Sequence, residues 1–377
     1  MLLYFEKITD PNLVQSFVIL CLMSFIFSFF IILTAGYFFG RRSKYDEIAV
    51  QSAHKGMVPR MGGIAVYLSI LIFVLISNSG QLNFSFFPNL DIGQLYWLVI
   101  SLIPVFLIGL AEDLGYAMSP TKRFLASVIS GVLVILYFQT WISSLGIPVV
   151  DLVLSSTFVG ILFTLFAATG VVNAFNLIDG LNGLASYVSI SSAIFLSIIA
   201  FNSNNAEIVR FLFIISASSI GFFVLNFPFG KIFLGDAGAY TLGHLLVWCA
   251  ILLINSNSSI SPFAIFLIFF WPIADTLLSI WRRWRLKKNA VQPDRLHFHQ
   301  LVMRFLEIRF LGRDKRNVAN PIATIVLVPA ISFPQAIGVI FWNNFVASAV
   351  GALFVGSLFL CTYFVGINLA KKSHSVI

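Results

Sequence analysis

Residues Asn173-Ala-Phe-Asn-Leu-Ile-Asp-Gly-Leu-Asn-Gly-Leu-Ala185 set four polar side chains, Asn173, Asn176, Asp179 and Asn182, at every third position between two long apolar runs. On a helix each step of three turns the side chain back by about 60°, so the four spiral over one side of a helix end and line one cavity wall. Flanking runs this apolar belong in hydrocarbon, where amides and carboxylates are costly and face a water-filled cavity or a ligand. The rest of the chain is therefore expected to build a membrane-embedded site around this segment.

The composition supports that expectation. Of 377 residues, 59% are hydrophobic and only 10% charged, and 41 are Phe. Soluble domains carry about 25% charged residues, so a soluble globular fold is excluded. The fold class expected is all-α, a polytopic integral membrane protein forming one membrane-embedded domain over 1–377. Cys21, Cys249 and Cys361 all fall within apolar runs, without the spacing of a metal site or a disulfide framework, and read as packing residues. The first apolar run ends in Arg41-Arg42 with no small-residue cleavage site, as in an uncleaved helix.

Eleven apolar segments are long enough to be candidate spanning helices: 13–39, 61–77, 95–111, 124–142, 156–175, 183–201, 211–227, 237–254, 262–281, 321–341 and 345–369. With that segmentation, all but Lys7 and Arg210 of the 23 basic residues fall on one side. Positive residues are retained on the cytoplasmic side, which places the N-terminus outside and the C-terminus inside. Loops 40–60, 112–123, 176–182, 228–236 and 282–320 then share the cytoplasmic face. A strongly basic inner face suits anionic membrane lipid and phosphate-bearing ligands, and nothing in it calls for nucleic acid.

Four of these loops carry candidate chemistry. His54-Lys-Gly-Met-Val-Pro-Arg-Met-Gly-Gly63 joins basic residues to glycines that let the backbone approach a ligand, or is an ordinary juxtamembrane turn. Glu112 and Asp113, followed by Lys122 and Arg123, hold a cation, take a proton, or form a solvated helix end paired with those bases. Asp236, bracketed by Gly235 and Gly238, is either the N-cap of the helix that follows or a Mg²⁺ ligand beside phosphates. In Pro293-Asp-Arg-Leu-His-Phe-His-Gln300, Arg295, His297 and His299 suit phosphate oxygens better than zinc. Beyond them Phe298, Leu301, Val302, Phe305 and Leu306 form a stripe expected to lie on the membrane surface. Asp275, inside the ninth segment, reads as an interhelical hydrogen-bonding residue.

Taken together, these residues resemble the polyprenyl-phosphate N-acetylhexosamine-1-phosphate transferase family. The resemblance rests on Val58-Pro-Arg-Met-Gly-Gly63, Glu112-Asp113, the segment 173–185, Phe233-Leu-Gly-Asp-Ala-Gly238 and Pro293-Asp-Arg-Leu-His-Phe-His299, in that order along nearly the whole chain. It implies a transferase of the bacterial inner membrane that moves a sugar 1-phosphate from a UDP-N-acetylhexosamine to undecaprenyl phosphate, releases UMP and starts a surface glycan. The UDP-GlcNAc branch of the family fits better than the muramyl-pentapeptide branch, and a homodimer is compatible with it. The resemblance implies Mg²⁺, with Mn²⁺ as a substitute, bound by Asp236 with Asn176 as a second oxygen donor. It implies that Phe233 stacks on uracil, and that Asn226, Asp179, Gly180, Leu181 and Asn182 shape the nucleoside pocket, with Lys55 beside it. Asp113 with Glu112 is implied to lie near the attacking lipid phosphate. Arg295, His297 and His299, with Lys122 and Arg123, are the implied phosphate and sugar contacts. Three positions depart from the family pattern: Glu112 for the first Asp of the pair, Asn182 for an Asp, and Gln300 for a further His. The rival class is an ion-coupled transporter using Asp179 and Asp275, which predicts acids at mid-bilayer and repeat symmetry; a scaffold for glycan assembly is a third reading.

Overall fold

The computed structural model describes residues 11–38, 58–78, 92–285 and 296–374, and these are helical with no strand among them. The long helices are α1 (Pro11–Phe38), α2 (Gly62–Asn78), the pair α3 (Tyr96–Ser101) and α4 (Ile103–Asp113), and α5 (Pro120–Phe138). A short α6 (Pro148–Leu154) precedes α7 (Thr157–Leu177), α8 (Leu184–Asn202), α9 (Ala206–Asn226) and α10 (Gly235–Ser256). The pair α11 (Pro262–Ile268) and α12 (Phe270–Arg285) follows, then α13 (Phe298–Leu306), α14 (Arg316–Ile340) and α15 (Phe345–His374). Among the described residues 8 helices are long and apolar enough to cross a membrane, or up to 10 if each bent pair is one span. The 17-residue α2 is shorter. Every apolar segment read from the sequence falls on one of these elements.

Local chemistry explains the breaks. Ser119 caps α5 by accepting from Lys122 N, with Pro120 in the first turn, and Gln139 ends it in the left-handed region at φ 50°. Pro104 follows the break between α3 and α4, which are bent by 41°. Segment 262–281, expected as one straight span, is two helices bent by 81°. Pro272 has no N–H to give the carbonyl four residues back, that of Ile268, and its ring crowds it. That carbonyl is taken up by Gln335 Nε2 of α14 at 3.2 Å. A buried amide from another helix thus satisfies the backbone acceptor that the proline releases.

Besides bonds between neighbouring helices such as Ser101–His244 and Gln335–Ser192, two groups of bonds tie the ends of the bundle. At one end Gly62, Asp113, Arg123, Asn182, Asn226, Phe233, Asp236 and Asn320 are tied together. At the other, Ile142 N donates to Thr164 Oγ1, Asn205 Nδ2 to Ser256 Oγ, and Ser261 N to Trp342 O. The first end is where the motifs converge.

Close backbone approach sets one strict requirement there. Phe233 N donates to Pro59 O, and Gly62 N and Gly63 N donate to Phe233 O and Leu234 O, zipping the entry of α2 to the entry of α10. A Cβ added at Gly63 would lie 2.2 Å from Gly238 N. Gly63→Ala is expected to push α2 off α10 and lower the thermal midpoint of the purified protein, with an overpacking cost of about 1–3 kcal/mol. An unchanged midpoint would show that the two helix entries yield more easily than their contact implies.

Candidate active site

The centre of the site is the N-terminus of α10. The first N–H groups of a helix lack intrahelical acceptors. Here they are met from outside: Asp113, the last residue of α4, accepts from Asp236 N through Oδ1 and from Ala237 N through Oδ2, both at 2.9 Å. Gly235 precedes them at φ +74°, where a Cβ would also meet Asp113 Oδ2 at 2.5 Å. Asp113 is 1% exposed. Its carboxylate is committed to the helix, in the electrostatically favoured place for an anion. The expectation that Asp113 faces the lipid phosphate is therefore revised, because both oxygens are occupied by backbone amides in a closed environment. Glu112, partly exposed and accepting from Met118 N at 2.7 Å, is the carboxylate of the pair nearer the open side.

Because Asp113 caps α10, Asp236 does not. No side chain caps the helix from its own N-cap position, and the Asp236 carboxylate instead receives Arg123 Nη1 at 3.1 Å and Arg60 Nη2 at 3.5 Å. Of the two readings left open by the sequence, the N-cap is excluded. In the sequence, nothing distinguishes Arg60 from the other basic residues of its loop. Lys122 has its side chain in the open, and it is Arg123 that turns inward.

The opening segment divides into a frame and a face. Asn173 Nδ2 turns back on Thr169 O of its own helix. Asn182 donates from its backbone N to Asn320 Oδ1 at 2.7 Å and from Nδ2 to Pro228 O at 3.0 Å. Asn226 accepts from Gly183 N at 2.6 Å and donates to Ile232 O at 2.7 Å. Leu181 is buried. Asn182, Asn226 and Leu181, expected in the nucleoside pocket, are instead buried, and the two amides tie the segment to α14 and to the 228–232 turn. Asn176, Asp179 and Phe233 are partly exposed and Gly180 is exposed, so these four are accessible to a ligand.

The histidine loop is folded onto that face. A Cβ on Gly180 would meet His299 Nε2 at 2.6 Å. His297 Nδ1 lies 3.0 Å from Asp275 Oδ2, Phe298 N donates to Asp275 Oδ1 at 2.9 Å, and His299 Nδ1 lies 3.4 Å from Oδ2. The rings of His297 and His299 stack at 5.5 Å. The apolar stripe is turned into the protein. Phe298 packs on Trp271 and Phe359, and Leu301, Val302 and Leu306 pack against the core, because α13 docks on α14 and α15; only Phe305 of the stripe is exposed. Lys55 and Arg295 lie outside the described residues.

Among the described residues there is no group of three or more His, Cys, Asp or Glu placed to hold a metal ion. Such a donor set does not build a cage of protein ligands. It does fit Mg²⁺, which is held by one or two carboxylates plus substrate phosphates and water. Asp236 is a carboxylate already arranged to face positive charge, and Asn176 presents a partly exposed amide.

Residues 95–254 match the family described as glycosyl transferase family 4, a stretch that includes Glu112, Asp113, Arg123, Asp179 and Asp236. The chain is 28% identical over 266 residues to the undecaprenyl-phosphate alpha-N-acetylglucosaminyl 1-phosphate transferase of Yersinia pestis, covering 69% of each chain. It is 26% identical over 289 residues to the protein of that name in Escherichia coli (strain K12), covering 74% of this chain and 76% of that one. A probable undecaprenyl-phosphate N-acetylglucosaminyl 1-phosphate transferase of Bacillus subtilis (strain 168) is 27% identical over 265 residues, 69% of this chain and 70% of that one. These findings agree with the resemblance carried by the five motifs: the chain is similar to sugar-1-phosphate transferases, and its apolar helices are those of a multi-pass membrane protein.

Proposed function

We propose that this chain transfers an N-acetylhexosamine 1-phosphate from its UDP-sugar, UDP-GlcNAc before others, to undecaprenyl phosphate at the cytoplasmic face of the bacterial inner membrane. The observation that carries the reading is Asp236, buried at a helix N-terminus capped by another carboxylate and facing two guanidinium groups, together with the contact of the histidine loop on the Asp179–Gly180 turn. Counting α2 and each bent pair as spans gives eleven crossings, N-terminus periplasmic and C-terminus cytoplasmic, in keeping with the placement of basic residues.

In this reading an oxygen of the lipid phosphate attacks the phosphorus that bears the sugar, and the bond from that phosphorus to the bridging oxygen breaks, so that UMP leaves. Two anions must meet, which makes charge neutralisation and in-line placement the main tasks. Arg60 and Arg123 supply fixed positive charge. Asp236 and Asn176 would hold Mg²⁺, which when bound contributes Lewis-acid stabilisation of the phosphoryl oxygens. Phosphate monoesters have a second pKa of about 6, so the acceptor needs no strong base. Glu112 is the side chain open to a residual proton. A phospho-enzyme on Asp113 is disfavoured, because both of its oxygens are buried and held by backbone amides rather than free to attack phosphorus; direct displacement is the preferred route.

The test is conversion of labelled UDP-GlcNAc, with undecaprenyl phosphate and Mg²⁺, in inside-out and in sealed right-side-out vesicles carrying the protein. Label is expected in the solvent-extracted lipid from the inside-out vesicles only. Absence of lipid-borne label with every UDP-N-acetylhexosamine would end the transferase reading, and equal labelling in both preparations would end the cytoplasmic placement.

A further inference from the structure

The turn between α7 and α8 carries the accessible Asp179 and Gly180, and the main chain just beyond them is held by side chains from far along the sequence. Asn182 N donates to Asn320 Oδ1 at 2.7 Å, and Asn182 O accepts from Thr324 Oγ1 at 2.8 Å. Both side chains are buried, Asn320 at 3% exposed and Thr324 at 2%. Four residues apart, they lie one above the other on one face of α14, so a single helix face grips the N–H and the C=O of the same residue. Asn226 holds the next amide, Gly183 N, at 2.6 Å. A buried main-chain group costs free energy when it is left unpaired, so these bonds fix where the turn stands. α14 also carries α13, whose second residue, His299, lies against Gly180. One helix thus sets both the turn and the loop that rests on it.

We propose that Asn320 and Thr324 are positioning residues for the UDP-sugar donor: from α14 they hold the main chain of Asn182, and through it the Asp179–Gly180 turn, where the donor binds. The inference rests on the transferase reading for its kinetic part and on geometry alone for its structural part. The choice of donor over acceptor follows from hydrogen-bonding chemistry. A carboxylate such as that of Asp179 accepts hydrogen bonds and gives none. The UDP-sugar offers it ribose and sugar hydroxyls and the uracil N–H, whereas the lipid phosphate is an anion without such donors. A turn that loses its anchors therefore weakens the donor and leaves the acceptor as it was. Neither residue belongs to any of the five motifs, since an amide and a hydroxyl one turn apart in an apolar helix carry no sign of the partner they meet.

Asn320→Leu removes the acceptor at similar volume, and Thr324→Val removes the hydroxyl with the shape kept. Asn320→Asp and Thr324→Ser keep the acceptor and the hydroxyl respectively. Full-length protein in nanodiscs is read twice, by hydrogen–deuterium exchange over residues 178–184 and by turnover. Exchange there is expected to quicken in Asn320→Leu and Thr324→Val, with the rest of the map as in wild type, and to return to the wild-type rate in Asn320→Asp and Thr324→Ser. In turnover, Asn320→Leu is expected to raise the donor KM about tenfold, the scale of one buried hydrogen bond, with kcat and the acceptor KM within about twofold. Should Asn320→Leu fail to fold, Thr324→Val is expected to give the same split between donor and acceptor. Unchanged exchange over 178–184 overturns the proposal, as does quickened exchange with an unchanged donor KM, or a joint rise of donor and acceptor KM that the conservative variants do not reverse. Were wild type to transfer no label at all, the transferase reading would fall, while the exchange map would still decide whether α14 holds the turn.

Discussion

Asp236→Asn is expected to reduce lipid-linked product formation about a thousandfold while leaving the protein folded. The carboxylate is 5% exposed and is shared by Arg123 and Arg60. An amide of the same shape keeps one acceptor for Arg123 but carries no charge. Two guanidinium groups then stand with no anion between them, and the proposed divalent cation loses its one carboxylate oxygen. Lewis-acid stabilisation of a phosphoryl group is worth several kcal/mol, and about 4 kcal/mol in the barrier corresponds to about a thousandfold in rate. Folding is spared because the cap of α10 uses the backbone N of residue 236, which the substitution leaves in place. The measurement pairs kcat/KM for UDP-GlcNAc with Mn²⁺ titration of the protein alone by electron paramagnetic resonance. Turnover near that of wild type would remove Asp236 from the metal site, and undiminished Mn²⁺ binding would reassign the cation to other donors.

The sequence made the apolar segments legible because each is long relative to the hydrocarbon thickness, and period and length are properties that a single chain displays. It did not show the 81° bend between α11 and α12. A hydropathy window registers Phe269, Phe270 and Trp271 as apolar and passes over Pro272. The partner that makes the break tolerable, Gln335, is 67 residues from the carbonyl it satisfies. The site divides in the same way. Residue types suited to phosphate and metal were visible at Asp236, Arg123, Asp179 and the histidine pair. Their partners were not, because an acid at a helix end looks the same whether it faces a cation, a proton or another helix. Asn182 and Asn226 illustrate the converse: amides in an apolar setting signal that something polar is near, but here it is backbone, Pro228 O for Asn182 and Gly183 N for Asn226. Asp275 had a signal, an acid inside an apolar run, while Arg60 had only its charge. In both cases the destination depended on contacts with residues far along the chain.

Replacement of Asp113 is expected to lower activity and stability together, which distinguishes a cap from a catalytic base. Two oxygens, two amides 123 and 124 residues away and an almost fully buried setting define the interaction. Asp113→Ala leaves both N–H groups buried without acceptors, at about 1–3 kcal/mol each, and removes the favourable placement of an anion at the positive end of a helix. Asp113→Asn keeps one acceptor and turns an NH₂ toward the other amide, so two donors face each other. In both variants the first turn of α10 loses its anchor to α4, and with it the backbone that aims Asp236 at Arg123 and Arg60. The expected outcome is a thermal midpoint lowered by several degrees for Asn and further for Ala, with a fall in kcat/KM for donor and acceptor alike. Glu112→Gln serves as the internal comparison: it alters the neighbouring carboxylate without touching the cap, and its midpoint is expected to stay at the wild-type value. A base or nucleophile at Asp113 would instead give an Asn variant of wild-type stability with kcat alone reduced, and that pattern would return Asp113 to the reacting atoms.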